Sequence, residues 1–172
     1  MRSESDPGIV IRRMEAGDRA AVAGIISRTG SFNEAEIACA LELVDIYLSD
    51  PRQKDYCVLV AENGDGGVGA YACWGPTPMT AGTYDIYWIA TDPSRQGRGL
   101  GRALVSHIER SALASHGRLI LIETSSKDSY AATVEFYRRL GYREEARIRD
   151  FYEIGDDRFV FVKRLSQQGV NQ

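Results

Sequence analysis

No run of about 18 consecutive apolar residues occurs in this 172-residue chain, so it contains no candidate membrane-spanning helix. Cysteine is scarce. Cys39, Cys57 and Cys73 form no C-x-x-C pair and lie in apolar surroundings, which argues against a disulfide framework or a zinc site and predicts buried free thiols in a reducing compartment. Histidine is scarcer still. His107 and His116 are expected on the outer part of a helix, and no metal-ligand cluster is visible. A dominant charge sign is also missing: 21 basic side chains stand against 24 acidic ones, a net charge of -3. That balance argues against a nucleic-acid binder relying on a broad basic surface. The first residues, MRSESDPG, lack the apolar stretch of a secretory signal, which predicts a cytoplasmic protein. Neither a repeat, a low-complexity segment nor an interdomain linker is evident. The expectation is one domain over residues 1–172, with a core over 9–165 and polar tails over 1–8 and 166–172.

What is present is a regular alternation of elements. Strands are predicted over residues 9–13, 56–61, 68–74, 84–91, 119–123, 146–152 and 158–163. Helices are predicted over 16–28, from a cap at Asn33 to about Leu48, from the glycine-rich turn to about His116, and over 130–140. Pro51 is expected to stop the second helix, and Gly117 to occupy the position after the third. Leu100, Leu104, Ile108 and Ala112 recur every fourth residue as a core stripe. YDIYWIAT and LILIE read as strands buried on both faces, 124–128 as a polar loop, and Gly155-Asp156-Asp157 as a hairpin turn. The order β-α-α-β-β-β-α-β-α-β-β describes an α/β (α+β) fold: a mixed, mostly antiparallel sheet of about seven strands with helices on both faces.

The chemistry concentrates in DPSRQGRGLGRAL, residues 92–104. Gly97, Gly99 and Gly101 alternate there, fenced by Arg95, Arg98 and Arg102. Each glycine weakens a helix by up to about 1 kcal/mol, so a close backbone approach must justify the run. A strand entering a glycine turn and then a helix presents N–H groups and the positive end of a helix dipole to an anion. The dinucleotide pattern G-x-G-x-x-G fails, because Arg102 stands where the third glycine belongs, and the P-loop pattern is absent. A tight turn with solvated arginines is the plain alternative.

Gln96, Gly99 and Gly101 fit Q-x-x-G-x-G, the pyrophosphate-loop motif of the GNAT superfamily of N-acetyltransferases. IYWIATDP resembles the family's fourth strand, and VEFYRRLGY, residues 134–142, is similar to its FYxxxGF signature on the last helix. The order of elements also resembles the family's over residues 9–165. GTYDIYWIATDP, ETSSKDSYAATVEFYRRLGY and RDFYEIGDD are similar to a bacterial and archaeal subgroup of small acetyltransferases to which no substrate is attached.

The resemblance implies acetyl-CoA as donor and no metal. The pyrophosphate would lie on the backbone N–H groups of Gln96, Gly97, Arg98, Gly99, Leu100 and Gly101, with Arg95 and Arg102 nearby. The pantetheine would pair with the main chain of Ile89, Ala90 and Thr91, where this strand and the next splay apart, and an N–H near Ile89 would polarise the thioester carbonyl. Tyr137 matches the family tyrosine that protonates the departing thiolate, although a core tyrosine would read the same way. Asp85 stands where some members place a glutamate base; an exposed aspartate at a strand's start is its plain alternative. The family's asparagine early in the last helix is replaced by Tyr130, and Ser125 could substitute for it or simply cap a loop. The acceptor site is expected from Phe32, Glu34, Trp74, Asp150 and Tyr152, aromatics and acids that suit a cationic amine, with a solvated acidic face as the plain alternative.

The resulting expectation is transfer of acetyl from acetyl-CoA to a primary amine of a small molecule or peptide, with neither nucleic acid nor membrane as partner. A homodimer is common in the family. A non-catalytic acyl-CoA sensor, a tRNA-acetylating toxin of the same fold and a nucleotide-binding oxidoreductase are the alternatives. The acidic pI disfavours the toxin, and the failed dinucleotide spacing disfavours the oxidoreductase.

Overall fold

A computed structural model describes residues 8–50, 52–64 and 66–166. Pro51, residues 167–172 of the polar tail and Asp65 of the first hairpin turn therefore lie outside the described residues, as do residues 1–7. The elements follow the expected order: β1 (Val10–Arg13), α1 (Arg19–Arg28), α2 (Glu34–Ser49), β2 (Cys57–Glu62), β3 (Val68–Pro76), β4 (Thr83–Thr91), α3 (Leu100–Ala114), β5 (Leu119–Ser125), α4 (Ala131–Arg139), β6 (Arg143–Glu153) and β7 (Asp156–Arg164). The seven strands follow the order β1-β2-β3-β4-β5-β7-β6. The registers run antiparallel for β1–β2, β2–β3, β5–β7 and β6–β7, and parallel for β4–β5. No helix among the described residues is long and apolar enough to cross a membrane. The chain divides into two compact units, Met1–Gly75 with Trp88–Ile108 and Pro76–Tyr87 with Glu109–Gln172.

In the first unit, Asn33 caps α2 as its side chain predicts. Its Oδ1 accepts the Glu36 N–H at 2.9 Å while the Glu36 carboxylate accepts the Asn33 N–H at 2.8 Å, a reciprocal box satisfying two donors that a helix start leaves open. Val22, Ile25 and Ile26 of α1 and Ala40 and Val44 of α2 pack with Val58, Val60, Tyr71, Cys73 and Ala90. Burying each larger aliphatic side chain contributes about 1.5–3 kcal/mol. The predicted helix over 16–28 begins with a separate 3-10 turn, Ala16–Asp18. The carboxylate of Asp18 is turned out of the helix to receive Arg12 and is held below the ordinary carboxylate range by that hydrogen bond. Cys39 departs from the buried thiols expected: it is exposed on α2, whereas Cys73 is buried and burial pushes its thiol up.

In the second unit, Ile120 and Ile122 of β5 and Phe161 of β7 are buried, as are Val134 and Tyr137 of α4. β4 is not buried on both faces. Thr83, Ile86 and Ala90 are buried while Tyr87 is 40% exposed. The register of β4 with β5 runs over Thr83–Ile86 against Leu119–Ile122. Both strands run on, β4 to Thr91 and β5 to Ser125. β5 therefore takes in Thr124 and Ser125, which the sequence places in a loop. Asp156 and Asp157 likewise join β7 instead of forming the turn. The end of α3 also differs from expectation. His116, not Gly117, adopts the left-handed conformation, with φ 61°. The N–H of Gly117 reaches the Ala112 carbonyl at 2.7 Å, and a Cβ there would meet the same oxygen at 2.7 Å, so this glycine is required by close approach.

Candidate functional site

The first unit carries the glycine run on a firmly anchored base. β4 ends at Thr91, and Asp92 organises the turn beyond it. Its Oδ1 accepts the Ser94 hydroxyl at 2.7 Å and the Ser94 N–H at 2.9 Å, and its Oδ2 accepts from Arg28 at 2.6 Å. Those bonds, from Ser94 first and Arg28 second, hold the Asp92 carboxyl down at about 2. Its own N–H donates to the Gly69 carbonyl at 2.8 Å. Gly69 was not singled out by the sequence. A Cβ there would lie 2.7 Å from Leu100 Cδ1 and 2.8 Å from Arg95 Cδ, so its bareness lets the loop and the start of α3 settle on β3.

Arg95, expected at the rim of the loop, is half-buried. Its guanidinium donates to Asn63 Oδ1 at 2.7 Å and to the carbonyls of Gly67 at 3.1 Å and Gly66 at 3.3 Å, which ties the loop to the β2–β3 turn. Arg98 and Arg102 are exposed. From Gln96 to Gly99 the chain is exposed, and Gly97 and Gly99 adopt φ 75° and 82°, the left-handed region that disfavours side-chain-bearing residues. A Cβ on Gly97 would meet nothing within 4 Å, so backbone conformation, not crowding, requires glycine there. Leu100, 1% exposed, then pins the helix. Its first backbone bond to the loop is Ala103 N–H to Gly99 carbonyl at 2.9 Å, so the N–H groups before Ala103 stand at the positive end of the helix without helical acceptors. Ile89 and Thr91 are half-buried beside buried Ala90. Phe32 is half-buried and packs edge-on against Trp88 with ring centres 5.1 Å apart. Glu34 is exposed in the first turn of α2, and Trp74 is half-buried on β3.

In the second unit, Tyr137 is 3% exposed, more deeply buried than its neighbour Phe136. Its ring lies 5.4 Å from Phe136, 6.0 Å from Tyr142 and 6.4 Å from Phe161. Burial pushes its phenol well above the ordinary tyrosine value, so it holds its proton throughout the neutral range. Gly141, at φ 86°, turns the chain beyond α4. Asp85 is half-buried on β4, and Thr77 Oγ1 donates to its Oδ2 at 2.5 Å.

Two expected site residues are hydrogen-bonded within the β6–β7 region, Ser125 buried and Asp150 exposed. Ser125 Oγ donates to Asp156 Oδ1 at 2.5 Å and accepts the Lys127 N–H at 3.1 Å. Its one hydroxyl hydrogen is thus already in use. Asp150, at φ 52°, donates its N–H to Asp157 Oδ1 at 2.9 Å and accepts the Gly155 N–H at 2.7 Å, so it shapes the hairpin turn. The Asp150 N–H and then Arg147 hold the Asp157 carboxyl below its ordinary range. Tyr152 is 47% exposed, edge-on to Phe151 at 5.0 Å. Arg158, unremarked in the sequence, pairs with Glu123, and its guanidinium carbon lies 4.6 Å from the Phe151 ring centre. Only the strand register reveals that pairing, because the two residues are far apart in the chain.

Comparison with known proteins agrees with these features. The profile of the acetyltransferase (GNAT) domain matches residues 54–144, more than half of the chain. A crystal structure of a protein assigned to the GNAT acetyltransferases of Desulfovibrio desulfuricans is similar at 39% identity and a TM-score of 0.84, over 92% of this chain and 99% of that one. A Salmonella typhimurium structure, described as an acetyltransferase with its cofactor acetyl-CoA, shares the fold at 21% identity and a TM-score of 0.69, over 93% and 95% of the two chains. Among curated proteins, S-(2-succino)cysteine N-acetyltransferase of Bacillus subtilis is 29% identical over 69 residues, 40% of this chain. The match spans 42% of that relative, less than half its length. With a domain profile across most of its sheet and a relative matched almost end to end, the chain belongs to the GNAT family of acetyltransferases.

Proposed function

We propose that this protein transfers an acetyl group from acetyl-CoA directly to a primary amine. The observation that carries the reading is the loop over residues 96–101, where two left-handed glycines lead an exposed main chain into a helix N-terminus above an anchored base. Such a loop suits a diphosphate, whose charge is met by N–H groups and the helix dipole and by Arg98 and Arg102 at its edge. The main chain of Ile89, Ala90 and Thr91, on the part of β4 beyond its ladder with β5, is the proposed partner for pantetheine. A GNAT neighbour described with acetyl-CoA supports that donor.

The chemistry asks three things of the chain. A lysine-like ammonium, with a pKa of about 10.4, must lose a proton before it attacks. Asp85 is the proposed acceptor of that proton through water, with Thr77 fixing one of its oxygens. The amine nitrogen then forms a bond to the thioester carbonyl carbon, and the carbon–sulfur bond breaks. Tyr137, kept protonated by burial, is the proposed donor to the departing sulfur; the proton still carried by the acylated nitrogen then returns to its phenolate through water, giving free coenzyme A and an amide. The acceptor is a small-molecule amine or a peptide; the cysteine derivative in the name of the Bacillus subtilis relative supports the former.

The test mixes purified protein with acetyl-CoA and a panel of amines while free thiol is followed. Amine-dependent thiol release, with acetyl-CoA raising the melting temperature, is the expected result. Stabilisation by NAD but not by acetyl-CoA, or no thiol release with any amine, would overturn it.

A further inference from the structure

α4 is nine residues long, and Tyr137 stands in its last turn. A helix this short is marginal by itself in water. Its C-terminal turn frays unless something outside the helix holds it, and the phenol would move with it. The main chain shows where the hold is applied. The Tyr137 carbonyl accepts the Leu140 N–H at 3.1 Å and the Tyr142 N–H at 3.1 Å. Leu140 and Tyr142 are therefore the residues through which the backbone of Tyr137 can be fixed.

Both are held by one polar cluster of the second unit. Tyr142 is 2% exposed, and its hydroxyl donates to Glu109 Oε1 at 3.0 Å. The Lys163 ammonium donates to Oε1 and Oε2 of Glu109, each at 2.9 Å, and to the Leu140 carbonyl at 2.9 Å. It also lies 5.6 Å from the centre of the Tyr142 ring. The circuit Tyr142–Glu109–Lys163–Leu140 thus closes on the two residues bonded to the Tyr137 carbonyl. Burial first, and then Glu109, push the Tyr142 phenol far above the ordinary tyrosine value, so it stays a donor. A phenylalanine would fill the same space, as in the FYxxxGF signature, so packing alone does not account for the hydroxyl. Net stability is a weak account of the ion pair, because loss of water offsets much of the attraction between two largely buried charges. A satisfied polar network does fix one arrangement of the groups it joins.

We infer that Glu109 and Lys163 are positioning residues for the Tyr137 phenol, acting through Tyr142 and the Leu140 carbonyl without touching the reacting atoms. This rests on the N-acetyltransferase reading and deepens it. The Tyr142 ring, 6.0 Å from that of Tyr137, carries the same restraint to the side chain. The restraint matters because a displacement of about 1 Å at a reacting group can lower the rate by about a hundredfold.

The experiment is a double-mutant cycle on kcat, read by thiol release at saturating substrates. Tyr142→Phe is expected to lower kcat by about tenfold, with the KM for acetyl-CoA within about twofold. In a Tyr137→Phe background the same substitution adds less than about twofold, because the group being positioned is gone. A 3-fluorotyrosine label gives a second readout. The Tyr137 fluorine resonance, assigned by its loss in Tyr137→Phe, broadens or splits in Tyr142→Phe. An unchanged kcat in Tyr142→Phe, an equal loss in both backgrounds, or an unaltered Tyr137 resonance overturns the inference while leaving acetyl transfer standing. If Tyr142→Phe fails to fold by circular dichroism, Lys163→Met runs the same cycle. Turnover indifferent to Tyr137→Phe removes the acid, and this inference with it, and leaves transfer to an amine in place. No thiol release from any amine overturns this inference and the parent reading together.

Discussion

The glycine loop of the first unit and the β6–β7 region of the second treat polar groups in opposite ways. In the loop, side chains turn inward and main chain turns outward: Asp92 and Arg95 are held by Ser94, Arg28 and Asn63, while residues 96–99 are exposed. In the hairpin region, polar side chains engage one another and the main chain: Ser125 with Asp156, Arg147 and the Asp150 N–H with Asp157, Arg158 with Glu123. A ligand made of phosphate oxygens needs many donors in one concave surface, which backbone supplies without side-chain entropy. A ligand recognised by shape and charge needs side chains already locked in place.

Substitutions should separate the two kinds of construction. The largest effect belongs to the chemistry of a side chain. Tyr137→Phe is expected to lower kcat by about a hundredfold while leaving the KM for acetyl-CoA within about twofold. Unchanged turnover at saturating substrates removes the phenol from the mechanism. Gly99→Val should do the reverse. A β-branched residue at φ 82° costs about 1–2 kcal/mol in backbone strain. Acetyl-CoA affinity measured by calorimetry should therefore fall by about tenfold. Ser125→Ala tests the hairpin side of the contrast. Removing the donor to buried Asp156 should lower stability to urea by about 1–3 kcal/mol with acetyl-CoA affinity unchanged. A selective loss of affinity would return Ser125 to the cofactor.

The smallest effect concerns pH. Asp92, with a folded-state pKa of about 2, titrates below the ordinary aspartate value of about 3.9. Its stabilisation is therefore complete above that ordinary value and is lost as pH falls toward about 2. Urea unfolding across that window should show this acid-side decline in the parent protein, and Asp92→Asn should flatten part of it. An identical pH profile in the variant would mean the loop base is anchored by other groups.

Much of the frame was legible. Asn33 with Glu36 three residues on, and Leu100, Leu104, Ile108 and Ala112 every fourth residue, are local patterns, and each appears as read. What was not legible has one cause. Arg95, Ser125 and Asp150 carry chemistry suited to a site, and their partners Asn63, Asp156 and Asp157 are brought to them by strand pairing and turns that no local pattern announces. Gly69 escaped notice for the same reason: its meaning depends on Leu100 and Arg95, both far along the chain.

What the amino-acid order determined alone is where bare main chain meets a helix start, because backbone conformation and helix initiation depend on neighbouring residues. Which charged side chains remain available was decided by tertiary structure. A charge's role depends on who arrives to pair with it, and for Arg158 that partner, Glu123, lies across a strand pairing.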